Sequence, residues 1–393
     1  MPRFPDASRT NDSLSAGVFS ALAKRASTHT GKVFPLHVGD TWREPWPGLR
    51  AEAVRGELLY TYAPVRGEPA LLSAARAQCE RRAGPLPDRT FCVVSGATSG
   101  ISVVMQTLCD VGDEVVLPAP FWPLVRGIIA SRGAVPVEVP LWDRRGGPNG
   151  VGVEAALEAA VTPRTVALYV NSPHNPTGGM LSEDEAAAFA RVAERHGLWL
   201  VVDEVYEHLW FGEVEPRPLW ARPDFSGRSV AVHSLSKAYG FAGGRVGWVH
   251  GPHAVMERVV ATQTHQVYCA PKVMQLGAAA ALSGADAWLA ETRELYREAG
   301  RKTAEAFGVE APLGGTFLFV DASPWLSPEG DATELLVRLL DEAGVLLTPG
   351  VSSGRDYGRW MRVCFTAVAP DVLDEALGRV SEVLRRVERE RRG

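Results

Sequence analysis

The feature that most constrains this chain is an alternation, between residues 91 and 249, of short apolar runs with segments of helical periodicity. The runs are hydrophobic at successive positions, so both of their faces must be buried, which is typical of parallel strands covered by helices on each side. One intervening helix is sharply delimited, because Ser182 and Glu185 form a capping box and Gly197 provides a C-terminal stop. The pattern predicts an α/β fold with a mostly parallel sheet, whose strands we place at residues 91–95, 114–117, 166–170, 198–202, 229–233 and 246–249.

The pattern changes after about residue 280. A long charged helix over 285–306, a strand over 315–321, a helix over 332–343 and a final helix from Pro370 predict a smaller α+β domain in the C-terminal third. The final helix places an apolar stripe opposite a series of arginines that runs to Arg392. We expect it to pack through that stripe rather than to act as a nucleic-acid tail, the stripe being Leu373, Leu377, Val380, Leu384 and Val387.

Composition limits the partners that the chain can have. Its 41 basic and 46 acidic side chains give a formal net charge of −5, so no overall positive field favours nucleic acid or an anionic membrane. The first residues lack the apolar core of a signal peptide, and no window reaches the roughly 18 consecutive apolar residues of a membrane span. The five cysteines are an odd number without a C-x-x-C pair, which predicts reduced thiols rather than disulfides or a zinc site. We therefore expect a cytoplasmic protein that acts on a small molecule and binds no metal.

Three segments between residues 171 and 248 contain the side chains best suited to chemistry. Asp203 directly follows an apolar strand, so its carboxylate lies at the edge where open α/β sheets bind ligands. Lys237 stands among hydroxyl side chains with Arg245 further along, which suits a phosphate beside an amine that forms an imine. Asn175 and Tyr206 add neutral donors at two other strand ends. Together these groups form the protein's half of a pyridoxal phosphate site.

Each of these residues also has an ordinary structural explanation. Asn-Pro-x-Gly is a common turn, Asp203 could cap a helix, and a serine-flanked lysine is most often a surface residue. Their order and spacing together resemble the class I/II aminotransferases, the fold-type I pyridoxal-phosphate enzymes, over about residues 30–370. The resemblance implies a large domain with a mostly parallel seven-stranded sheet between helices, plus a smaller α+β C-terminal domain. The chain is then divided into an N-terminal arm (1–45) that joins the small domain, a cofactor-binding large domain (46–284) and the small domain (285–393).

The resemblance implies contacts to pyridoxal 5'-phosphate residue by residue. Lys237 is similar to the lysine that forms the Schiff base, and Asp203 to the carboxylate that pairs with the pyridine nitrogen and keeps the ring electron-withdrawing. Tyr206 and Asn175 are similar to the pair that hydrogen-bonds the cofactor's 3′ oxygen, and Asn175 also borders the substrate. By the same resemblance the phosphate is bound by Gly96, Ala97, Thr98, Ser234, Ser236 and Arg245.

Four further assignments follow from the resemblance. Trp122 is similar to the aromatic residue that stacks on the pyridine and borders the substrate, although a core tryptophan has the same sequence signature. Tyr62 corresponds to a tyrosine that reaches the phosphate of the neighbouring subunit, which implies a homodimer with shared active sites; Tyr60 competes for that alignment. Arg362 is similar to the arginine that binds the substrate α-carboxylate as a planar fork. Gly39 is similar to the glycine whose backbone approaches the same substrate.

The identity of the substrate is less constrained. Trp42 and Trp46 either line an apolar side-chain pocket or belong to ordinary packing, and Arg43 either pairs with an acidic substrate or lies on the surface. On balance these residues favour a neutral or aromatic amino acid. We expect structural roles for His174 and His208.

The resemblance implies transamination, in which the amino group of an amino acid passes to a 2-oxo acid through the Lys237 Schiff base. Two alternatives use the same cofactor: β-elimination of the C–S lyase type, and oxidation or cyclisation of an arginine-like amino acid in a biosynthetic pathway. A third alternative is a regulator that joins an aminotransferase-like domain to a DNA-binding module. It is disfavoured, because few residues precede Gly39 and one helix follows the enzyme-like part.

Overall fold

A seven-stranded sheet forms the centre of the structure. The computed structural model describes residue 14, residues 20–143 and residues 152–392. The strands are β1 Arg89–Val94, β2 Glu114–Ala119, β3 Val135–Pro140, β4 Thr165–Asn171, β5 Trp199–Asp203, β6 Ser229–Ser234 and β7 Gly247–Pro252. They lie in the order β1-β7-β6-β5-β4-β2-β3, and β7 runs in the direction opposite to the other six described strands. The predicted α/β class with a mostly parallel sheet is confirmed.

Sequence analysis predicted six of these strands and missed β3. Its sequence, Val-Pro-Val-Glu-Val-Pro, lacks the continuous apolar character of a doubly buried strand. The structure gives the reason, because β3 is the outer strand beside β2 and its first residue, Val135, is 46% exposed. An edge strand is covered on fewer sides, so its sequence does not need the continuous apolar run by which the other strands are recognised.

Helices cover both faces of the sheet. Along β1, Phe91 and Val93 belong to one hydrophobic cluster with α2, α5 and α6, whereas Cys92 and Val94 belong to the other with α3, α4 and α7. None of the described helices is both long and apolar enough to cross a membrane. The helices are α1 Ser20–Ser27, α2 Pro69–Ala83, α3 Gly96–Leu108, α4 Pro123–Ala130, α5 Val153–Ala160, α6 Glu183–His196, α7 His253–Gln266, α8 Lys272–Gly284, α9 Asp286–Phe307, α10 Ala332–Ala343 and α11 Pro370–Arg392.

Helix α6 shows how local sequence sets an element that positions the site. The Glu185 N–H donates to Ser182 Oγ (3.2 Å), and the Ser182 N–H donates to Glu185 Oε2 (2.8 Å). Gly197 ends the helix in the left-handed region with φ 67°. Both ends agree with the prediction, and β5, which ends at Asp203, begins two residues after this glycine.

A second, antiparallel sheet occupies the C-terminal part, with β8 Phe317–Asp321, β9 Thr348–Pro349 and β10 Trp360–Cys364 in the order β8-β10-β9. The apolar stripe of α11 is buried and Arg385 and Arg389 are exposed, as predicted, although the side chain of Arg392 lies outside the described residues. The smaller C-terminal unit is therefore confirmed. Phe34 and Leu36 form backbone hydrogen bonds with residues between 344 and 364, so this part of the N-terminal arm contacts the C-terminal unit. Residues 1–13 and 15–19 of the arm lie outside the described chain. The domain boundaries at 45 and 284 stay a prediction.

A chain of polar side chains is buried between the sheet and α2. Arg89 Nε donates to His250 Nδ1 (2.7 Å), so the ring hydrogen of the neutral His250 is on Nε2, which donates to His233 Nε2 (3.1 Å). His233 Nδ1 then donates to Glu207 Oε1 (2.6 Å). Three potential metal ligands lie within 4.8 Å of one another, on Cys79, His233 and His250. Because His250 Nε2 carries a hydrogen and donates it to His233, we interpret the group as a hydrogen-bond chain rather than as a metal site.

Candidate active site

A cavity of about 430 Å³ opens at the carboxyl ends of β4, β5 and β6. The first turn of α3 forms part of its wall, and residues 37–39, Phe317 and Arg362 form another part. Open α/β sheets bind ligands at this edge. The cavity brings together twelve of the predicted site residues: Gly39, Ala97, Thr98, Trp122, Asn175, Asp203, Tyr206, Ser234, Ser236, Lys237, Arg245 and Arg362.

Asp203 is a buried carboxylate whose hydrogen-bond partners are neutral. The Tyr169 O–H donates to Oδ2 (2.5 Å), and the Val205 N–H donates to Oδ1 (3.3 Å). Asn171 Nδ2 donates to the Asp203 carbonyl oxygen (2.7 Å) and so fixes the strand end. Burial raises the pKa of Asp203 to about 6, against the opposing effect of these hydrogen bonds. A carboxylate in this state is suited to a cationic ligand.

Asn175 links two other predicted residues across the cavity. Its Nδ2 donates to the Tyr206 hydroxyl (3.3 Å), and its Oδ1 accepts from Arg362 Nη1 (3.1 Å). The Asn175 N–H donates to Asn171 Oδ1 (2.8 Å), which holds the loop after β4 in place. Burial raises the pKa of Tyr206, and the nearby Asp203 adds to the shift, so the phenol is protonated at neutral pH.

Arg362 is a buried cation that has no carboxylate partner among the described residues. Its guanidinium donates to Asn175 Oδ1, to the His37 carbonyl oxygen (3.1 Å) and to Thr348 Oγ1 (3.4 Å), and its Nε has no hydrogen-bond partner. Its face lies 4.3 Å from the centroid of the Phe317 ring. Burial lowers the pKa of Arg362, although an arginine stays charged. A guanidinium held this way is prepared for an external planar anion.

The amine of Lys237 is directed at the other side of the cavity. Its Nζ donates to the Gly39 carbonyl oxygen. Burial lowers the pKa of Lys237, and the positive charges of Arg362 and Arg245 act in the same direction. A Cβ atom at Gly39 would meet the Phe317 ring at 2.9 Å, so any larger residue there would have to displace that ring from the cavity wall.

A cradle for an anion lies beside the lysine. Ser234 Oγ donates to Ser236 Oγ (2.8 Å), and the first turn of α3 presents the backbone N–H groups of a helix N-terminus. Arg245 lies in the left-handed region with φ 50° and donates to the carbonyl oxygens of Ala242 and Ser95, without a carboxylate partner in the described chain. Gly96 does not line the cavity, but a Cβ atom there would meet the Arg245 guanidinium at 2.5 Å.

Comparison with known proteins decides the family. The sequence model described as aminotransferase class I and II matches residues 48–380. The chain is a class I/II aminotransferase. A probable N-succinyldiaminopimelate aminotransferase of Mycobacterium tuberculosis is 34% identical over 391 residues, covering 93% of this chain and 95% of the relative. An arginine–pyruvate transaminase of Pseudomonas aeruginosa is 34% identical over 331 residues, covering 81% of each chain.

Solved structures agree with this assignment. The aspartate aminotransferase of Rhizobium meliloti superposes with a TM-score of 0.88 at 25% identity, covering 97% of this chain and 99% of that one. The N-succinyldiaminopimelate aminotransferase of Mycobacterium tuberculosis superposes with a TM-score of 0.86 at 31% identity, covering 96% and 100%. Enzymes of this class depend on pyridoxal phosphate. The buried carboxylate, the lysine and the uncompensated Arg245 beside a helix N-terminus fit that cofactor's nitrogen, aldehyde and phosphate.

The structure of this aminotransferase places Tyr62 outside the cavity of its own chain. The side chain is 81% exposed and packs edge-to-face on Tyr268, with ring centroids 5.0 Å apart. Trp122, in contrast, lines the cavity at the start of α4. His174 stacks on Trp142, with ring centroids 3.7 Å apart, and His208 contacts Gln78; neither histidine lines the cavity.

The residues considered for substrate selection lie elsewhere. Trp42 and Trp46 pack against the hydrophobic core, so the packing alternative is correct for both. Arg43 is held against α9, because its guanidinium donates to Thr292 Oγ1 and Glu291 Oε2 (both 2.6 Å) and stacks on Trp288. None of the three lines the cavity.

Sequence analysis missed several residues that shape the site. Phe317 contacts Arg362 and limits the space at Gly39, and Tyr169 bonds to Asp203. Tyr169 carries a detectable signal, since it is a polar-tipped side chain inside an apolar strand and a buried phenol needs a partner. Phe317 carries none, because a phenylalanine in a strand is the ordinary case.

If Arg362 binds carboxylates, an inert apolar acid such as 3-phenylpropionate should stabilise this aminotransferase in its cofactor-loaded form. At roughly 100 times its Kd the acid should add about 2.7 kcal/mol to the free energy of unfolding, measured by thermal melts. Arg362→Gln should lose this stabilisation. Arg355→Gln, which removes an exposed partner of Glu138, is the matched control and should keep it. Equal stabilisation of both variants would contradict the assignment.

Proposed function

We propose that this aminotransferase uses Lys237, Asp203 and Tyr206 as its catalytic residues, works in the cytoplasm and prefers neutral or aromatic amino acids. The observation that carries the proposal is that Asp203, Lys237 and Arg362 line one cavity and none of them forms an ion pair within the described residues. Such charges await ligand groups of opposite charge. When bound, pyridoxal phosphate supplies an aldehyde that carries the amino group and a ring that withdraws electrons.

With the cofactor bound, Lys237 would hold its aldehyde at rest and would serve as the base and acid of the reaction. The freed lysine amine would be placed to accept the proton of the substrate Cα and to donate one at the cofactor's C4′. A lowered pKa assists this task, because a larger fraction of the amine is neutral at a given pH. The Gly39 carbonyl oxygen accepts from the ammonium form and orients it.

Asp203 would pair with the ring nitrogen and hold its positive charge. Tyr206 and Asn175, whose side chains are hydrogen-bonded to each other, would both bind the 3′ oxygen. Trp122, which lines the cavity, would cover the ring face. The phosphate would be bound by Gly96, Ala97, Thr98, Ser234, Ser236 and Arg245, with Tyr62 contributed by the partner subunit.

Arg362 binds the substrate α-carboxylate, with Asn175 and the backbone of Gly39 beside it. The remaining cavity wall determines which side chain is accepted. It includes Val38, Leu124 and Phe317, and among the described residues its sole acidic member is Asp203, which is assigned to the cofactor. A basic substrate side chain therefore lacks a counter-charge in the described wall of this cavity, and an apolar one finds favourable contacts.

A homodimer with shared sites is supported by an exposed aromatic patch. Tyr60 and Tyr62 are 94% and 81% exposed. Three further hydrophobic side chains are also exposed, namely Leu58, Val267 and Tyr268, and Tyr268 contacts Tyr62. Large exposed apolar side chains of this kind are typical of interfaces. The β-elimination and oxidation alternatives are not favoured, since the similar proteins are aminotransferases that act on aspartate, N-succinyldiaminopimelate and arginine.

The role of Lys237 is tested by trapping. Borohydride reduction of the cofactor-loaded protein should leave a pyridoxyl mass on the peptide that contains Lys237. Lys237→Ala should lose that label and at least about a thousandfold in amino-transfer rate. Lys302→Ala removes an exposed lysine paired with Asp374 and should change neither result. A label on another peptide would contradict the assignment.

Donor preference is tested with a panel of amino acids against pyruvate and 2-oxoglutarate. Phenylalanine, leucine and methionine should give higher kcat/KM than aspartate or arginine, because the wall described above offers apolar contact and no counter-charge. Ammonia release and oxygen uptake are measured in the same assays. Preference for a charged donor would overturn the substrate proposal while leaving the amino-transfer chemistry intact.

The shared site is tested by mixing two inactive variants. Lys237→Ala subunits retain Tyr62, and Tyr62→Ala subunits retain Lys237. If Tyr62 acts in the neighbouring subunit, refolding the two together should restore cofactor affinity and activity in hybrid dimers, because one site then holds both native residues. Each variant refolded alone is the control. No recovery in hybrids of proven composition would contradict shared sites.

A further inference from the structure

Tyr169 is buried where a phenylalanine would pack equally well. It lies in β4, within Thr-Val-Ala-Leu-Tyr-Val-Asn, and is 2% exposed among the apolar residues on the α3 face of the sheet. Burying a phenol hydroxyl is costly unless it finds a partner. The residue therefore needs an explanation beyond packing.

The register of the sheet supplies that partner. Strands β4 and β5 are parallel, with Asn171 opposite Asp203 and Tyr169 opposite Val201. Residues two apart on a strand share a face, so the ring of Tyr169 and the carboxylate of Asp203 lie diagonally on the same side. The length of the phenol spans this diagonal, and its O–H donates to Asp203 Oδ2 at 2.5 Å.

This hydrogen bond settles the orientation of the carboxylate. Oδ2 accepts from the phenol, while Oδ1 accepts the longer bond of 3.3 Å from the Val205 N–H. Oδ1 is thus the oxygen with the larger remaining capacity to accept from a ligand. Asp203 lines the cavity, whereas Tyr169 does not. The phenol acts on any ligand only through Asp203.

The same bond favours the charged form of the carboxylate. Burial raises the pKa of Asp203 to about 6, and the hydrogen bonds from Tyr169 and the Val205 N–H, together with the nearby His233, oppose this shift. Burial also raises the pKa of Tyr169 far above its ordinary value, so the phenol remains a donor at any pH of interest. Tyr206 is the other titratable group whose field reaches this pair.

We propose that Tyr169 is a positioning residue that orients Asp203 and keeps it ionised for the ring nitrogen of pyridoxal phosphate. The proposal rests on the role of Asp203 given under the proposed function. It adds to the site a hydroxyl that never touches the cofactor. Without that hydroxyl the buried carboxylate keeps, among the described residues, only the longer hydrogen bond from the Val205 N–H. Its charged form is then less stabilised, so the pKa of Asp203 rises further.

Because the pKa of Asp203 differs between the folded and the unfolded chain, the free energy of unfolding depends on pH. The folded pKa of Asp203 lies above its unfolded value, so ionising the carboxylate costs stability as the pH rises through about 6. The Tyr169 hydroxyl offsets part of that cost. Tyr169→Phe should therefore destabilise the cofactor-free full chain more at about pH 8 than at about pH 5, as measured by denaturant unfolding.

Cofactor affinity provides the second measurement. Tyr169→Phe should weaken the Kd for pyridoxal phosphate, measured by fluorescence titration, by about tenfold, the effect of losing one hydrogen bond to a charged group. In an Asp203→Asn background the same substitution should lose both its pH-dependent stability effect and its effect on Kd. Coupling of this kind separates positioning from packing.

Tyr357→Phe is the matched control. Tyr357 is also a buried residue, and its hydroxyl donates at 2.6 Å to a carboxylate, Oδ1 of the exposed Asp143, but Tyr357 does not line the cavity. This variant should lose stability without changing Kd and without coupling to Asp203→Asn. If Tyr169→Phe behaves like Tyr357→Phe while Asp203→Asn loses cofactor affinity, the role of Tyr169 is refuted and that of Asp203 stands. If Asp203→Asn keeps full affinity and activity, the proposed function itself fails.

Discussion

An ion that leaves water for a protein interior loses its hydration, and protein dipoles must replace it. The free-energy cost of this desolvation determines which groups can surround the cavity at the C-terminal edge of the sheet. Asp203, Lys237 and Arg362 line it without pairing with one another. A phenol, a backbone carbonyl and an asparagine amide supply the dipoles instead. The charges remain available to ligands because their hydrogen-bond partners among the described residues are neutral.

The supporting dipoles come from different parts of the chain, which explains why the whole fold is needed. Parallel strands bring Tyr169 and Asp203 to one edge, and the loop after β4 adds Asn175. The C-terminal sheet brings Arg362 across, and Phe317 of the adjacent strand packs on it. Segment 34–42, hydrogen-bonded to the C-terminal unit, then closes the cavity with Gly39. A site assembled in this way depends on contacts distant in sequence.

The parts of this arrangement that sequence predicted are those with local or motif-level signals. The ends of α6 follow from Ser182, Glu185 and Gly197, and twelve predicted site residues meet in one cavity. Strand β3 was missed because, at the edge of the sheet, it lacks the continuous apolar run that marks the predicted strands. The environment of Arg43 was also beyond prediction, because its partners lie in α9, about 250 positions away. Long-range pairing of ordinary residue types leaves no trace in a single sequence.

The hydrogen-bond chain beneath α2 has a consequence for how this enzyme can diversify. Glu204, Glu207 and His233 are each the immediate neighbour of a site residue, namely Asp203, Tyr206 and Ser234, and their side chains are buried with the polar groups on the far face. A substitution at any of these positions should therefore affect both the buried polar groups behind the cavity and the cavity-lining residue next to it in the chain. Val38 and Leu124, in contrast, are 43% and 53% exposed at the rim of the cavity. A substitution at the rim should therefore change the cavity wall at a smaller cost in packing than a substitution behind its floor.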